Sequence, residues 1–190
     1  MTKTRAHSVF LRFFNQLFNF YMPKIYALDK VDRKLLNLLQ KDNQTPTRTL
    51  AEKTHISQPT CLRRLRDLRA AGVISADVAL VDPFALGYGM LAFLEISLTN
   101  QSDECMQEFE ARMGKETEVM QCYFVSGDFD YFLVAHVIDM DAYYQFVRRV
   151  ISGSGNVRHF QSRFPMKRSK FATRIAFDEK ALEVQVRAKK

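Results

Sequence analysis

Four arginines within seven residues, Arg63, Arg64, Arg66 and Arg69, are the densest concentration of one chemistry in this sequence. A guanidinium can grip a guanine edge through two N–H donors or pair with a phosphate, so a polyanion is the natural target, and sequence alone does not assign which arginine does which. All four lie in the stretch SQPTCLRRLRDLRAAG (57–72), where a single acid, Asp67, offsets them to leave a net +3. Ser57, Gln58 and Thr60 at its start add small donors and acceptors for bases or phosphates. Thr47 and Arg48, opening the segment before it, are placed to touch a sugar–phosphate backbone.

A second constellation is SGDFD (126–130). Asp128 and Asp130 could be a catalytic or metal-binding carboxylate pair, but no third ligand or nucleophile accompanies them. The ordinary explanation is a tight turn, where Gly and Asp are favoured by backbone tolerance and Asx hydrogen bonds, and a turn can also be a ligand loop. His7, His55, His136 and His159 are scattered, with no ligand-like spacing to one another or to a cysteine, so no metal site is expected. Cys61, Cys105 and Cys122 are odd in number and form no CxxC pair, which predicts buried thiols in a reducing compartment.

The arginines need a helix to present them. Ser57 is a good N-cap, Pro59 falls in the first turn where its missing N–H costs nothing, and Gly72 stands where a left-handed C-terminal cap is wanted. At about 100° per residue, Cys61, Leu62, Leu65 and Leu68 share one face, Pro59, Arg63 and Arg66 point away from it, and Arg64 lies to one side. A basic helix face alone also describes a solvated surface helix; what precedes it decides. Val31, Leu35, Leu36, Leu38 and Leu39 predict a helix starting at Asp29 or Asp32, and a second short helix is expected over 47–54. Three short helices with a tight turn before a basic third one outline a helix-turn-helix. Val73 to Val81 alternates enough for a strand or β-wing.

Farther on, Ala92, Leu94, Ile96 and Leu98 alternate with Leu91, Phe93, Glu95 and Ser97 in a strand, with Leu91 and Phe93 on a face that awaits a partner. A helix from the N-cap Ser102 carries Met106, Phe109 and Met113. Val119–Val125 and Tyr131–Val137 form a hairpin around SGDFD, a helix after Asp139 carries Tyr143, Phe146, Val147, Val150 and Ile151, and a last strand runs from Val157 to Phe164. The order βαββαβ is ferredoxin-like, and the fold class is α+β. The expected divisions are an N-terminal extension (1–27) with an amphipathic aromatic stripe from Phe10 to Tyr21 and a candidate true start at Met22, the helix-turn-helix with hinge strand (28–89), the ferredoxin-like domain (90–180), and a basic tail (181–190).

Charge separates these parts. The chain carries +7 overall, distributed as +4 over 1–27, +3 over 28–82, −7 over 83–157 and +7 over 158–190. An acidic middle is repelled by nucleic acid, so polyanion contact falls to the N-terminal module. No apolar run is long enough to span a membrane.

LDKVDRKLLNLLQKD (28–42), SQPTCLRRLRDLRAAGVI (57–74) and VSGDFDYFL (125–133) together resemble the Lrp/AsnC, or feast/famine, family of bacterial transcription regulators, over about residues 28–180. The resemblance implies a winged helix-turn-helix, a hinge strand and a ferredoxin-like effector domain, assembled as homodimers and often octamers. Two positions depart from the family pattern. His55 replaces a turn glycine, tolerable because His visits positive φ, and Arg63 stands where leucine-responsive members carry an acid, so target preference does not transfer. The family implies a free amino acid at the loop Ser126–Tyr131, with Asp130 and Met140 matching positions in the response and Ser162 a weaker candidate. Such a ligand needs N–H donors for its carboxylate and an acceptor for its ammonium; Gly127 permits close backbone approach, and Asp130, ahead of Asp128, can accept. Phe129 and Met140 favour leucine or methionine as effector over asparagine or lysine.

The expected protein is therefore a cytoplasmic, non-enzymatic, amino-acid-responsive regulator binding double-stranded DNA, with no cofactor beyond its effector. The alternatives are a sequence-tolerant DNA-wrapping protein with little effector response and an amino-acid-binding enzyme subunit.

Overall fold

The computed structural model describes residues 27–152 and 155–178. The aromatic stripe, Met22 and the basic tail lie outside the described residues. The chain divides into two compact units, one running to Val78 and resuming at Ala172, the other spanning Ala79–Phe171. The expected boundaries at 89/90 and 180 therefore move: residues 79–89 go with the second unit, and 172–178 return to the first.

In the first unit, Asp29 caps helix α1 (Lys30–Leu39). Its carboxylate accepts from the Asp32 N–H at 2.8 Å, and the Asp32 carboxylate accepts from the Asp29 N–H at 3.3 Å, a reciprocal capping box. Helix α2 (Thr47–Thr54) ends on His55 at φ 58°, the left-handed turn the sequence allowed for. Helix α3 (Gln58–Ala70) starts at the N-cap Ser57 and stops where Gly72 takes φ 72° and the Val73 N–H reaches back to the Leu68 carbonyl at 2.9 Å. Leu35, Leu50, Ala51, Cys61 and Leu65 form one buried cluster, while Leu28, Leu36 and Leu68 form another against Val73, Ile74 and Phe177. Each fully buried leucine contributes about 1.5–3 kcal/mol of transfer free energy, which lets such short helices persist.

Two expectations fail here. Leu62 is 44 % exposed rather than core, because Cys61, Leu65 and Leu68 at i, i+4 and i+7 already make the narrow stripe that reaches α1 and α2. Residues 73–81 form no ladder; alternation permits extended backbone, but no strand among the described residues lies beside it, and Val78, Leu80 and Val81 are exposed.

The second unit comprises β1 (Met90–Leu98), α4 (Asp103–Met113), β2 (Val119–Phe124), β3 (Tyr131–Val137), α5 (Met140–Val147) passing into a π turn (Arg148–Ser152), and β4 (Val157–Arg163). The strands pair antiparallel in the order β2-β3-β1-β4, as the ferredoxin-like reading requires. Ser102 and Asp139 cap α4 and α5 through their side chains. Ala92, Leu94, Ile96 and Leu98 of β1 and Tyr131, Leu133, Ala135 and Val137 of β3 face the helices and pack on Phe109, Met113, Tyr143, Phe146 and Val150. The opposite face carries Phe93 stacked on Phe132 at 5.7 Å, with Leu91 and Val134 only partly covered. Of the three free cysteines only Cys61 is buried; Cys122 is exposed because β2 is an edge strand. No described helix is long and apolar enough to cross a membrane.

Candidate nucleic-acid interface and loop site

Helix α3 sorts its arginines by what lies opposite them. Arg64 Nη1 contacts Asp29 Oδ2 at 2.6 Å and Asp32 Oδ1 at 2.8 Å, with its side chain 25 % exposed and its Nε buried without a partner. Burial alone would lower the Arg64 pKa, but the two carboxylates outweigh it and hold the guanidinium more firmly charged. Arg69 is tied to Asp77 at 2.9 Å. Arg63 and Arg66 are exposed, and no ion pair among the described residues engages them. They are the cations α3 can offer to a polyanion. The expectation that Arg64 contacts DNA is corrected: three residues after Cys61 it lies beside the buried stripe, where it reaches the N-terminus of α1.

The smaller candidates sit where expected but are partly occupied. Ser57 Oγ and Thr60 Oγ1 bond each other at 2.8 Å, and the same Ser57 oxygen caps the helix by accepting from the Thr60 N–H at 3.4 Å. Gln58 is exposed beside them. Arg48 pairs with Glu52 at 3.1 Å across one exposed turn of α2, and Thr47 is half-buried at that helix's start. Sequence reasoning missed Asp29 and Asp32 as the carboxylates that hold α3. The LDKVD spacing announced a helix start, but which side chain would reach it from 32 residues away was not local information.

The loop Ser126–Asp130 caps the β2–β3 hairpin. Gly127 adopts φ 134°, a conformation that favours glycine, with open space on its Cβ side. Asp130 is engaged on every polar side: Oδ2 accepts from the Leu98 N–H at 2.7 Å, Oδ1 from Gln101 Nε2 at 2.8 Å, and its own N–H donates to the Ile96 carbonyl at 2.8 Å. Its first role is to pin the hairpin to the end of β1. Ser126 and Asp128 are exposed, and Phe129 leans on Phe132 with ring centroids 6.3 Å apart.

Three of the expected loop-site residues lie elsewhere. Tyr131 is fully buried and donates its hydroxyl to Glu110 Oε1 at 2.9 Å; burial, then that carboxylate, push its pKa far up. As the first residue of β3 it alternates inward, so it is core. Ser162 pairs in register with Leu94 in mid-sheet, and its hydroxyl bonds the Tyr143 hydroxyl beneath α5. Met140 is 52 % exposed at the start of α5, separated from the loop by the length of β3, roughly 23 Å at 3.3 Å per residue. Within one chain the loop and Met140 do not meet.

A helix-turn-helix with an exposed cationic face and a ferredoxin-like domain with an uncovered sheet face define a two-domain DNA-binding regulator. Family models for a winged helix-turn-helix DNA-binding domain and for the Lrp/AsnC ligand binding domain match residues 28–75 and 91–175. The chain belongs to the Lrp/AsnC family of transcription regulators. It is 41 % identical over 144 residues to an uncharacterized HTH-type transcriptional regulator of Haemophilus influenzae, covering 76 % of this chain and 86 % of that protein. Against the leucine-responsive regulatory protein of Salmonella typhimurium it is 40 % identical over 116 residues, covering 61 % and 71 %. A Neisseria meningitidis transcriptional regulator solved as an L-Met complex superposes with a TM-score of 0.73 at 33 % identity, over 78 % of this chain and 96 % of that one.

Proposed function

We propose that this protein is an amino-acid-responsive transcription regulator that binds duplex DNA as a homodimer or a larger assembly of dimers, acting by binding and not by catalysis. The observation that carries the reading is the pair of exposed, unpaired arginines on α3, Arg63 and Arg66, beside Gln58 at the helix start. A recognition helix in the major groove contacts bases chiefly through its N-terminal residues, which gives Gln58 and Arg63 base-reading roles and leaves Arg66, Arg48, Thr47, Ser57 and Thr60 for phosphates.

The effector assigned to the loop Ser126–Asp130 is methionine or leucine. Gly127 allows a ligand close to the backbone, Asp128 is an exposed carboxylate for an ammonium, and Phe129 offers an apolar wall. Because Met140 stands at the far end of the sheet, a pocket using both belongs to two copies of the chain. The relatives support this choice, one being named leucine-responsive and one solved as an L-Met complex.

The test is binding to genomic duplex fragments, with and without a panel of amino acids, alongside footprinting. Methionine or leucine should shift both DNA affinity and oligomer distribution, since an effector acts only through differential affinity for two states. Discrete protected half-sites are expected; continuous coverage unaffected by any amino acid would replace this reading with DNA wrapping.

A further inference from the structure

The segment after β4 does something the two-domain outline does not require. The chain leaves the second unit at Phe171 and rejoins the first at Ala172, so the DNA-binding unit is attached to its neighbour at two points along the chain, Val78/Ala79 and Phe171/Ala172. Residues 172–178 form no helix or strand, and most are exposed. Three side chains hold them. Phe177 packs against Leu28, Leu36, Leu68, Val73 and Ile74. The Gln40 amide at the end of α1 makes both bonds to one residue, donating to the Ile175 carbonyl at 3.2 Å and accepting from the Ile175 N–H at 2.8 Å. Arg33, only 2 % exposed, donates to the Leu28 carbonyl at 3.3 Å and to the Asp178 carbonyl at 3.2 Å.

We propose that residues 172–178 are a releasable strap that docks on α1 and restrains the DNA-binding module, an inference that rests on the DNA-binding reading above. The inventory of contacts supports release as well as docking. One half-buried aromatic ring and a few hydrogen bonds hold a segment with no regular structure of its own. Arg33 Nη2 is buried without a partner when the strap is seated. An unmet donor on a buried cation is costly, and water admitted on release would satisfy it, which brings the docked and released states close together. With the strap seated the module hangs from two connections and its orientations are few. Released, it hangs from one, and DNA binding must then restrict the added freedom.

The experiment uses the full chain. Wild type, Gln40→Ala, Phe177→Ala and Phe177→Leu are compared by hydrogen exchange at the Ile175 amide and by fluorescence anisotropy on genomic duplex fragments. Gln40→Ala removes the amide clamp without touching a buried side chain, so it reports on the strap even if Phe177→Ala folds poorly. The expected result is a protected Ile175 amide in wild type, fast exchange in both alanine variants with DNA affinity about fivefold weaker, and near-wild-type behaviour for Phe177→Leu. An unprotected Ile175 amide in wild type, or a released strap with DNA affinity unchanged, would overturn the proposal. A wild type that binds no duplex at all would instead sink the DNA-binding reading, and the strap's role with it.

Discussion

Arg64 of the third helix and Asp32 of the first stand 2.8 Å apart, and the Asp32 carboxylate that receives the guanidinium also closes the capping box of its own helix. One ion pair therefore fixes the angle at which α3 leaves the module. Asp32 is nearly buried while Arg64 is partly exposed, so the pair resists solvent screening better than a surface bridge does.

Arg64→Ala is accordingly expected to lower the stability of the DNA-binding unit by about 1–3 kcal/mol, by leaving a buried carboxylate without its cation. Arg63→Ala and Arg66→Ala should alter stability by less than about 0.5 kcal/mol and cost about 1–3 kcal/mol of DNA affinity at a base contact, or reduce the salt slope by about one at a phosphate. Thermal melts and salt-dependent DNA titrations of the three variants separate these roles. Full DNA binding by both Arg63→Ala and Arg66→Ala would remove α3 as the reading helix.

The same clamp carries a pH signature. Burial alone would raise the Asp29 pKa, but the Asp32 N–H and the Arg64 guanidinium outweigh it and hold the carboxyl below its ordinary 3.8. A depressed folded-state pKa contributes stability that is fully present above the unfolded value and lost as pH falls through the folded one. The melting-temperature gap between wild type and Arg64→Ala should thus stay constant above about pH 5 and shrink below about pH 4. A gap that widens on acidification contradicts the ion-pair account.

In the second unit, Asp130→Ala should destabilise the domain by about 1–3 kcal/mol, because the Leu98 N–H and the Gln101 amide lose their acceptor. Amino-acid binding lost in that variant would therefore report the loop's shape. Asp128→Ala is the cleaner probe of ammonium recognition: its melt should match wild type while calorimetric affinity for methionine or leucine falls. Tyr131→Phe should cost about 1–2 kcal/mol by orphaning Glu110 Oε1 and leave effector affinity unchanged.

His55 holds φ 58° between α2 and α3, where an L side chain is strained. His55→Gly should keep or raise stability, by up to about 1 kcal/mol, whereas His55→Val should lower it by about 1–2 kcal/mol. Denaturant midpoints decide this, and a stable His55→Val would show that the turn relaxes to another conformation.

What the sequence determined by itself is local or periodic. Ser57, Ser102 and Asp139 as caps, Gly72 and His55 as left-handed stops, and the alternation of Ala92, Leu94, Ile96 and Leu98 depend on neighbours within a few residues, and they suffice for element order and the ferredoxin-like sheet. The cationic face of α3 is likewise readable from a 100° wheel. Tertiary structure decided which of those cations are spent inside the molecule, because Arg64 meets Asp29 and Asp32 only once α3 packs on α1. It also turned Tyr131 into the core, moved Met140 to the far end of the sheet from the loop, and brought Ile175 and Phe177 back to α1, 135 residues from Gln40. Propensity and periodicity act along the chain, whereas hydrogen bonds and burial act at a few ångströms through space, so partners far apart in sequence become neighbours only when the fold closes.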